Sequence, residues 1–201
     1  MERIKAIETY YKGYRFRSRL EARWAVFFDA LGIEYMYEPE GLILPDGTLY
    51  LPDFYLPKCK TFFEVKGLMN GKDMHKIEQL IQSGNRVVIG YDAANDEAGL
   101  VFSACDYWGE GGADGAGGPM YSLASCEDSV LCRCHDCGEY FFMGYTGCWD
   151  CAACGAYDGD HHLIFLMGGD GAVSDEEVRI AVKRFKQARF EHGETPIACA
   201  V

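Results

Sequence analysis

The sequence contains no uninterrupted apolar run of the length that a membrane-spanning helix needs. Its first residues, from Met1 to Lys5, also lack the apolar segment of a secretory signal peptide. The first absence argues against an integral membrane protein, and the second argues against a secreted one. We therefore expect a soluble, cytoplasmic protein.

Basic residues are scarce in the second half of the chain. Residues 91–201 contain six Lys and Arg against 19 Asp and Glu, whereas residues 1–90 contain 13 against 12. The whole chain has a net charge of −12, which argues against a simple nucleic-acid binder. Because the acidic half repels a polyanion, binding is expected only at local basic patches, in the first 23 residues and between Arg179 and Arg189.

Cysteine, in contrast, is abundant and unevenly placed. Six of the ten cysteines fall between positions 132 and 154, and two segments, Cys134-His-Asp-Cys137-Gly and Cys151-Ala-Ala-Cys154-Gly, have the form C-x-x-C-G. In a reducing compartment this clustering indicates metal binding rather than disulfides. Four thiolates suit a closed, structural Zn²⁺ site, and the pattern resembles zinc ribbons in general, with a β-hairpin between the two turns.

Other interpretations of the cysteines stay open: an iron–sulfur cluster, a redox C-x-x-C pair, or free thiols. Cys132 and Cys148 are further candidate ligands, whereas the adjacent His161 and His162 are more typical of a surface. A site closed by four thiolates has no position for a reacting water. Its expected role is to fold a module that has little core of its own.

Apolar periodicity predicts a helix, three strands, a second helix and a fourth strand in the first half of the chain. Ser18 begins the first helix with a capping box that includes Glu21, and Gly32 ends it. The predicted strands are residues 33–38, 49–56, 61–66 and 87–91, and the second helix is residues 72–82. This order is typical of an α/β domain in which helices flank a mixed β-sheet.

The pattern weakens after Tyr91. The glycine-rich residues 109–118 indicate a linker or a mobile loop. Ser174 begins another capping box, followed by an amphipathic helix to about Phe190. The predicted organisation is an α/β domain at residues 1–105, a linker or loop at 106–125, a zinc ribbon at 126–170 and a C-terminal helix with its tail at 171–201.

Two carboxylates and a lysine are predicted to meet on the sheet. Side chains alternate across a strand, so Glu64 and Lys66 share one face. Asp53 lies on the preceding strand, and a short connection brings it beside Glu64. Converging carboxylates repel each other unless a cation lies between them, and Mg²⁺ prefers hard oxygen ligands. With Lys66 orienting a water or neutralising charge, this arrangement favours phosphodiester hydrolysis.

Pro52-Asp53, ten intervening residues and Glu64-Val65-Lys66 resemble the signature of the PD-(D/E)xK nuclease superfamily. The predicted element order resembles its restriction-endonuclease-like αβββαβ core, and residues 16–24 resemble the first helix of many phage and bacterial members. The resemblance covers about residues 12–92. It implies catalysis by Asp53, Glu64 and Lys66, Mg²⁺ or Mn²⁺ held by Asp53, Glu64 and Val65, and Glu21 as a further acidic site residue.

Several of these residues have a simpler interpretation. A capping box requires Glu21 in any case, and Lys66 can be an edge lysine whose stem lies along the sheet. Four arginines are either nucleic-acid contacts or a solvated face: Arg15, Arg17, Arg19 and Arg23. The Gln-x-x-x-Tyr motif of RecB-like exonucleases is absent, since Ser83 follows Gln79 at that offset, which favours an endonuclease over a processive exonuclease.

The favoured hypothesis is a Mg²⁺-dependent nuclease of a bacterial or phage-infected cell, with DNA as the expected substrate. Many proteins of this type dimerise to cut two strands, so a homodimer is compatible with the hypothesis. A second hypothesis is a weak or inactive nuclease fold that acts as a protein-binding or phage counter-defence factor through its acidic half. A third is a transcription accessory that binds DNA without cutting it.

Overall fold

The computed structural model describes residues 6–91, 102–105, 129–134, 136–144, 151, 153–156, 164–167 and 176–190. Over these residues the chain is a mixed α/β protein with three helices and several small sheets. The helices are α1 (Arg19–Leu31), α2 (Gly71–Gln82) and α3 (Glu176–Gln187). Among the residues described, no helix combines the length and the apolar character that crossing a membrane requires.

The strands are short and form four sheets. They are β1 (Thr9–Tyr11), β2 (Tyr14–Phe16), β3 (Met36–Tyr37), β4 (Leu42–Ile43), β5 (Leu49–Tyr50), β6 (Phe54–Leu56), β7 (Thr61–Lys66), β8 (Arg86–Tyr91), β9 (Phe102–Cys105), β10 (Ser129–Arg133), β11 (Tyr140–Gly144) and β12 (Ile164–Met167). The main sheet has the order β3-β6-β7-β8-β9. Only its β7–β8 pair is parallel, and α2 provides the crossover that parallel neighbours need.

Helix α1 covers one face of the main sheet. The Ser18 side chain accepts a hydrogen bond from the Glu21 N–H (3.2 Å), and Gly32 ends the helix in the left-handed conformation (φ 68°). Trp24 is fully buried and its ring lies 4.6 Å from that of Phe63 on β7. Burying a side chain of this size contributes about 1.5–3 kcal/mol, so the aromatic contacts fix α1 on the sheet.

Helix α2 covers the opposite face together with the β4–β5 hairpin. Its buried residues Ile77 and Leu80 pack with Leu44 of the hairpin and with Val87 and Ile89 of β8. On the central strands of the sheet, every second side chain points towards α1. The same alternation in β7 turns Phe63 and Val65 towards α1 and leaves Glu64 and Lys66 on the side of the hairpin and α2.

The cysteine-rich region and α3 share their core with α1. Leu131 and Phe141, from the β11-β10-β12 sheet, are buried in the same cluster as Trp24, and the ring of Phe185 on α3 lies 5.1 Å from that of Trp24. The Cys59 thiol donates to the carbonyl oxygen of Tyr140 (2.8 Å). The predicted α/β and zinc-ribbon segments are therefore joined by a continuous apolar core.

The structure corrects the predicted strand over residues 49–56. It is interrupted at Pro52 and Asp53, so that β5 pairs with β4 and only β6 joins the main sheet. Pro52 has no N–H to donate within a ladder, and on the sequence alone it already indicates an edge or distorted position for this strand. The predicted strand over residues 33–38 is reduced to β3.

Further boundaries also differ from the sequence expectations. Periodicity found neither the β1–β2 nor the β4–β5 hairpin, because strands of two or three residues offer too few alternating positions. Helix α2 begins at Gly71, capped by Asn70, and β8 begins at Arg86. Helix α3 ends at Gln187, earlier than expected. Ser174 and residues 109–118 lie outside the described residues.

Gly90 permits the close approach of the sheet to α1. A Cβ at this position would lie 2.5 Å from a ring atom of Phe63 and 2.6 Å from one of Trp24, and both rings are fully buried. We expect Gly90→Ala to lower the free energy of unfolding by about 1–3 kcal/mol, measured by urea denaturation. Gly67→Ala is the control, since nothing lies within 4 Å of its added Cβ. An equal loss in both variants would contradict the steric explanation.

Candidate functional site

Asp53, Glu64 and Lys66 lie together at the end of β7. The Lys66 Nζ is 3.1 Å from Asp53 Oδ2 and 2.9 Å from Glu64 Oε2. Two backbone N–H groups complete the cluster: that of Val65 donates to Asp53 Oδ2 (2.8 Å), and that of Asp53 donates to Glu64 Oε1 (3.3 Å). The antiparallel β6–β7 register brings the position before Phe54 opposite Glu64, which produces these contacts.

The cluster is almost completely withdrawn from solvent. Glu64 is fully buried, Asp53 is 6% exposed, and the Lys66 side chain is 16% exposed. Burial raises the pKa of Glu64, and the charge of Asp53 raises it further. Burial alone would lower the pKa of Lys66, but the carboxylates of Glu64 and Asp53 outweigh it and raise this pKa. Two buried carboxylates require a cation between them, and Lys66 supplies it here.

Arg17 provides a second cation at the solvent edge of the cluster. Its Nη2 lies 2.8 Å from Asp53 Oδ1 and its Nε lies 2.6 Å from Glu38 Oε1, while half of its side chain is exposed. Glu38 has a positive φ of 43°, and its N–H donates to the Asp53 carbonyl oxygen (2.9 Å). This conformation is uncommon for a residue other than glycine, and the contacts with Asp53 and Arg17 hold it.

Glu21 serves the helix cap and also adjoins the cluster. Its carboxylate accepts hydrogen bonds from the Ser18 hydroxyl (2.7 Å), the Arg17 N–H (3.0 Å) and the Tyr37 hydroxyl (2.7 Å). Among the described residues it forms no ion pair with Lys66. Glu21 therefore contacts the capping residue Ser18 and is also linked to the site. The link runs through Arg17, whose N–H contacts Glu21 and whose guanidinium group contacts Asp53.

The four predicted nucleic-acid contacts occupy different surroundings. Arg17 lies at Asp53, as described above. Arg15 is exposed on β2 and forms an ion pair with Glu8. Arg19 and Arg23 are half-buried on α1.

Tyr50 is a member of the cluster that sequence reasoning missed. Its hydroxyl donates to Glu64 Oε2, the same oxygen that Lys66 contacts. Burial, and then the Glu64 carboxylate, raise the pKa of Tyr50, so it stays a hydrogen-bond donor. A continuous strand over residues 49–56 would have turned Tyr50 away from Asp53. The interruption around Pro52 brings both towards Glu64; Pro52 marks the distortion in the sequence, but it does not indicate where Tyr50 points.

We expect Tyr50→Phe to lower the free energy of unfolding by about 1.5–3 kcal/mol, because a hydrogen bond to a buried carboxylate is lost while the ring stays. Thermal or urea denaturation measures the change. Tyr55→Phe is the matched control, since it removes a hydroxyl on β6 that is not bonded to Glu64. Equal stability of the two variants would show that the Tyr50 hydroxyl adds nothing to the cluster.

Cys134, Cys137, Cys151 and Cys154 form the second cluster, in which all four sulfur atoms lie within 4.8 Å of one another. The Cys134–Cys154 and Cys137–Cys151 sulfur pairs are each separated by 3.7 Å. A tetrahedral ion with Zn–S bonds of about 2.3 Å requires sulfur separations of about 3.8 Å. These two separations fit a zinc ion bound by the four cysteines.

The two C-x-x-C-G turns have the same backbone geometry. In the first, Gly138 (φ 74°) donates its N–H to the Cys134 carbonyl oxygen (2.9 Å). In the second, Gly155 (φ 73°) donates to that of Cys151 (2.8 Å). Each glycine takes a left-handed conformation that another residue would adopt at a cost. Two equivalent turns facing one another are the expected frame of a four-thiolate site.

Between the two turns the structure describes β11, and residues 145–150 lie outside the described residues, so the expected hairpin stays a prediction. The first turn connects β10 to β11, and the second precedes β12. Cys132 does not belong to the group of four sulfur atoms that lie together; it is fully buried, and burial raises the pKa of its thiol to about 12. Cys148, His161 and His162 lie outside the described residues.

Comparison with known proteins gives no independent assignment. No known family matches this chain, and no curated protein matches it. The chemistry of the two clusters is thus the basis for a functional proposal.

Proposed function

We propose that the chain is a Mg²⁺-dependent nuclease of the PD-(D/E)xK type that hydrolyses phosphodiester bonds, with DNA as its substrate. The observation that carries the proposal is that the carboxylates of Asp53 and Glu64 and the ammonium group of Lys66 lie together at the end of β7. The main sheet, with α1 on one face and α2 as its crossover, is compatible with the αβββαβ core of that superfamily. An endonuclease is preferred to a processive exonuclease.

The donor set of the cluster fits Mg²⁺ or Mn²⁺. The carboxylate oxygens of Asp53 and Glu64 are hard ligands, and Val65 is the third ligand that the superfamily pattern assigns. In the contacts described above, the carboxylates of Glu21, Glu38, Asp53 and Glu64 lie in one network with Lys66 and Arg17. This concentration of carboxylates favours the binding of a divalent cation.

Each residue of the cluster has a distinct task in this proposal. A bound divalent ion would polarise the phosphoryl group and lower the pKa of a bound water. Lys66, held between the two carboxylates, orients the water or neutralises charge that develops on the phosphate. Arg17 is half exposed beside Asp53 and can hold a phosphate oxygen through its guanidinium group. Glu21 and Tyr50 position Arg17 and Glu64.

The proposal also includes a structural Zn²⁺ ion, bound by the four cysteines in a zinc ribbon. With four protein ligands, the ion has no open position for a substrate. Cys59 and Tyr140, with the shared core, fix the ribbon to the α/β domain, which is the role expected of a folding element.

The second candidate is a protein-binding or counter-defence factor. It is favoured by the acidic second half of the chain, where positions 91–201 contain 19 acidic and six basic residues. Cleavage assays distinguish the two functions. Supercoiled and linear DNA are incubated with Mg²⁺ or Mn²⁺. The proposal predicts cleavage that is lost in Asp53→Ala and Lys66→Ala and retained in the exposed-residue controls Glu34→Ala and Lys72→Ala. Intact DNA and RNA under every condition would refute the nuclease, and recovery of a protein partner would then support the second candidate.

A further inference from the structure

The β1–β2 hairpin forms a fixed platform next to the carboxylate cluster. Lys12 (φ 46°) and Gly13 (φ 85°) form its two-residue turn, a geometry that matches the twist of paired strands. Its inner face is buried: the Phe16 ring lies 4.4 Å from that of Tyr37, and the Tyr11 ring lies 6.2 Å from that of Phe190. The core therefore determines the direction in which the outer face points.

The outer face presents an aromatic ring and guanidinium groups in a line. Tyr10 is paired directly opposite Arg15, and alternation places both away from the buried Tyr11 and Phe16. Tyr10 is 67% exposed and the Arg15 side chain is 59% exposed. Arg17 follows Arg15 by two residues, just beyond the end of β2. Because Arg17 reaches Asp53, this face leads directly to the carboxylate cluster.

The charge of this segment suits a nucleic-acid strand. Between Glu8 and Glu21 the chain has four basic residues and no acidic one. The ion pair of Arg15 with Glu8 is exposed on both sides, and such pairs add little stability, so a phosphate can replace Glu8 at low cost. Lys12, Arg15 and Arg17 form ion pairs with Asp29, Glu8 and Asp53, for which a phosphate must compete. The segment nevertheless contrasts with the acidic second half of the chain, which repels a strand from other surfaces.

The exposed ring of Tyr10 favours single-stranded over double-stranded nucleic acid. An unpaired base can stack on an aromatic side chain whatever its identity, whereas the bases of a duplex are already stacked on both faces. Two residues of chain span at most roughly 7 Å, the length of about two nucleotides of a stacked strand. A base on Tyr10 and a phosphate at Arg17 can therefore belong to one short segment.

We propose that this outer face, made of Tyr10, Arg15 and Arg17, binds an unpaired DNA strand and directs its phosphates to Asp53 and Glu64. The substrate of the enzyme then contains single-stranded DNA, as a free strand, a flap or a frayed end. This inference rests on the proposed nuclease function for the reaction, but it names binding residues that the cleavage chemistry does not require.

Fluorescence anisotropy with the full, zinc-loaded chain tests the inference in the absence of Mg²⁺. The probes are labelled oligo(dT), oligo(U) and a DNA duplex of equal length. We expect oligo(dT) to bind more tightly than the duplex and Tyr10→Ala to weaken its binding about tenfold or more. Tyr10→Phe keeps the ring and should bind like the natural chain. Arg15→Gln should reduce the magnitude of the slope of the logarithm of the binding constant against the logarithm of the salt concentration by about 0.7.

Ile43→Ala is the control for these variants, because it removes an equally exposed apolar side chain from another hairpin. Tighter binding to the duplex, an equal loss for both DNA forms in Tyr10→Ala, no loss at all, or binding restricted to oligo(U) would each overturn the inference. The binding result does not depend on cleavage. Conversely, duplex cleavage that survives Tyr10→Ala would overturn the inference and leave the proposed function intact.

Discussion

Lys66→Met is expected to abolish Mg²⁺-dependent cleavage and to make the stability of the fold depend on a divalent cation. The natural chain holds the buried carboxylates of Asp53 and Glu64 together through the Lys66 ammonium. Methionine replaces the aliphatic stem of lysine but not its ammonium group, so the two charges lose their cation. Removing one partner from a buried ion pair costs about 3–5 kcal/mol.

The rate and the stability of Lys66→Met test different parts of this explanation. Losing a group that stabilises the transition-state charge should reduce the cleavage rate by about 10²–10³-fold. Thermal unfolding should occur well below that of the natural chain without Mg²⁺, and the addition of Mg²⁺ should raise the midpoint more in Lys66→Met than in the natural chain. Lys72→Met is the control, since Lys72 is exposed on α2. A variant that neither loses stability nor responds more strongly to Mg²⁺ would contradict the proposed cation position.

A double variant separates charge repulsion from lost packing. Asp53→Asn removes one of the two facing charges, so Asp53→Asn combined with Lys66→Met should recover part of the stability that Lys66→Met loses in the absence of Mg²⁺. Residues in contact are expected to deviate from additivity in this way. Additive losses would indicate that the aliphatic stem of Lys66, not its charge, is what the fold needs.

Cys151→Ser is expected to remove the bound zinc and to unfold more than the two cysteine turns. Binding of a structural zinc ion contributes about 10–16 kcal/mol in small zinc-finger peptides, whereas the net stability of a whole domain is about 5–15 kcal/mol. Cys134 and Cys151 are buried in the cluster that also contains Trp24 and Phe185. Loss of the ion should therefore loosen the contact of α3 with α1 as well.

Metal analysis, circular dichroism and tryptophan fluorescence measure this effect. We expect one zinc per natural chain, none in Cys151→Ser, and a lower unfolding midpoint in the variant or after chelation. Cys132→Val is the control, because it replaces a fully buried cysteine that lies outside the group of four. Iron with visible absorption in place of zinc would identify an iron–sulfur cluster. An unchanged midpoint in metal-free protein would refute the stabilising role.

Short-range patterns in the sequence predicted much of the fold. The strand over residues 61–66 was predicted with the bounds of β7, and helix α1 begins after Ser18 and ends before Gly32 as expected. These elements are long enough for alternation or helical periodicity to specify them, and their caps are encoded within a few residues. The four-cysteine group was also predicted correctly, because the five residues of each C-x-x-C-G segment encode the turn that brings its two cysteines together.

Prediction from the sequence failed where an element is short or where a contact joins segments that are distant in the chain. The two hairpins were missed, and with them the hydrogen bond from Tyr50 to Glu64. The ion pair between Arg17 and Asp53 joins residues 36 positions apart, and nothing in the spacing indicates it. Such contacts depend on how strands pair and how helices cross the sheet, and a local pattern carries little information about either.

By itself, the sequence determined the candidate residues: two carboxylates and a lysine at fixed spacing, and four cysteines in two turns. The tertiary structure decided how they meet. The interruption at Pro52 separates β5 from β6, so that Tyr50 and Asp53 both contact Glu64. The shared core around Trp24 joins the cysteine turns to α1 and α3. The physical reason is that hydrogen-bonding preferences act within a few residues, whereas the burial of apolar surface selects partners from the whole chain.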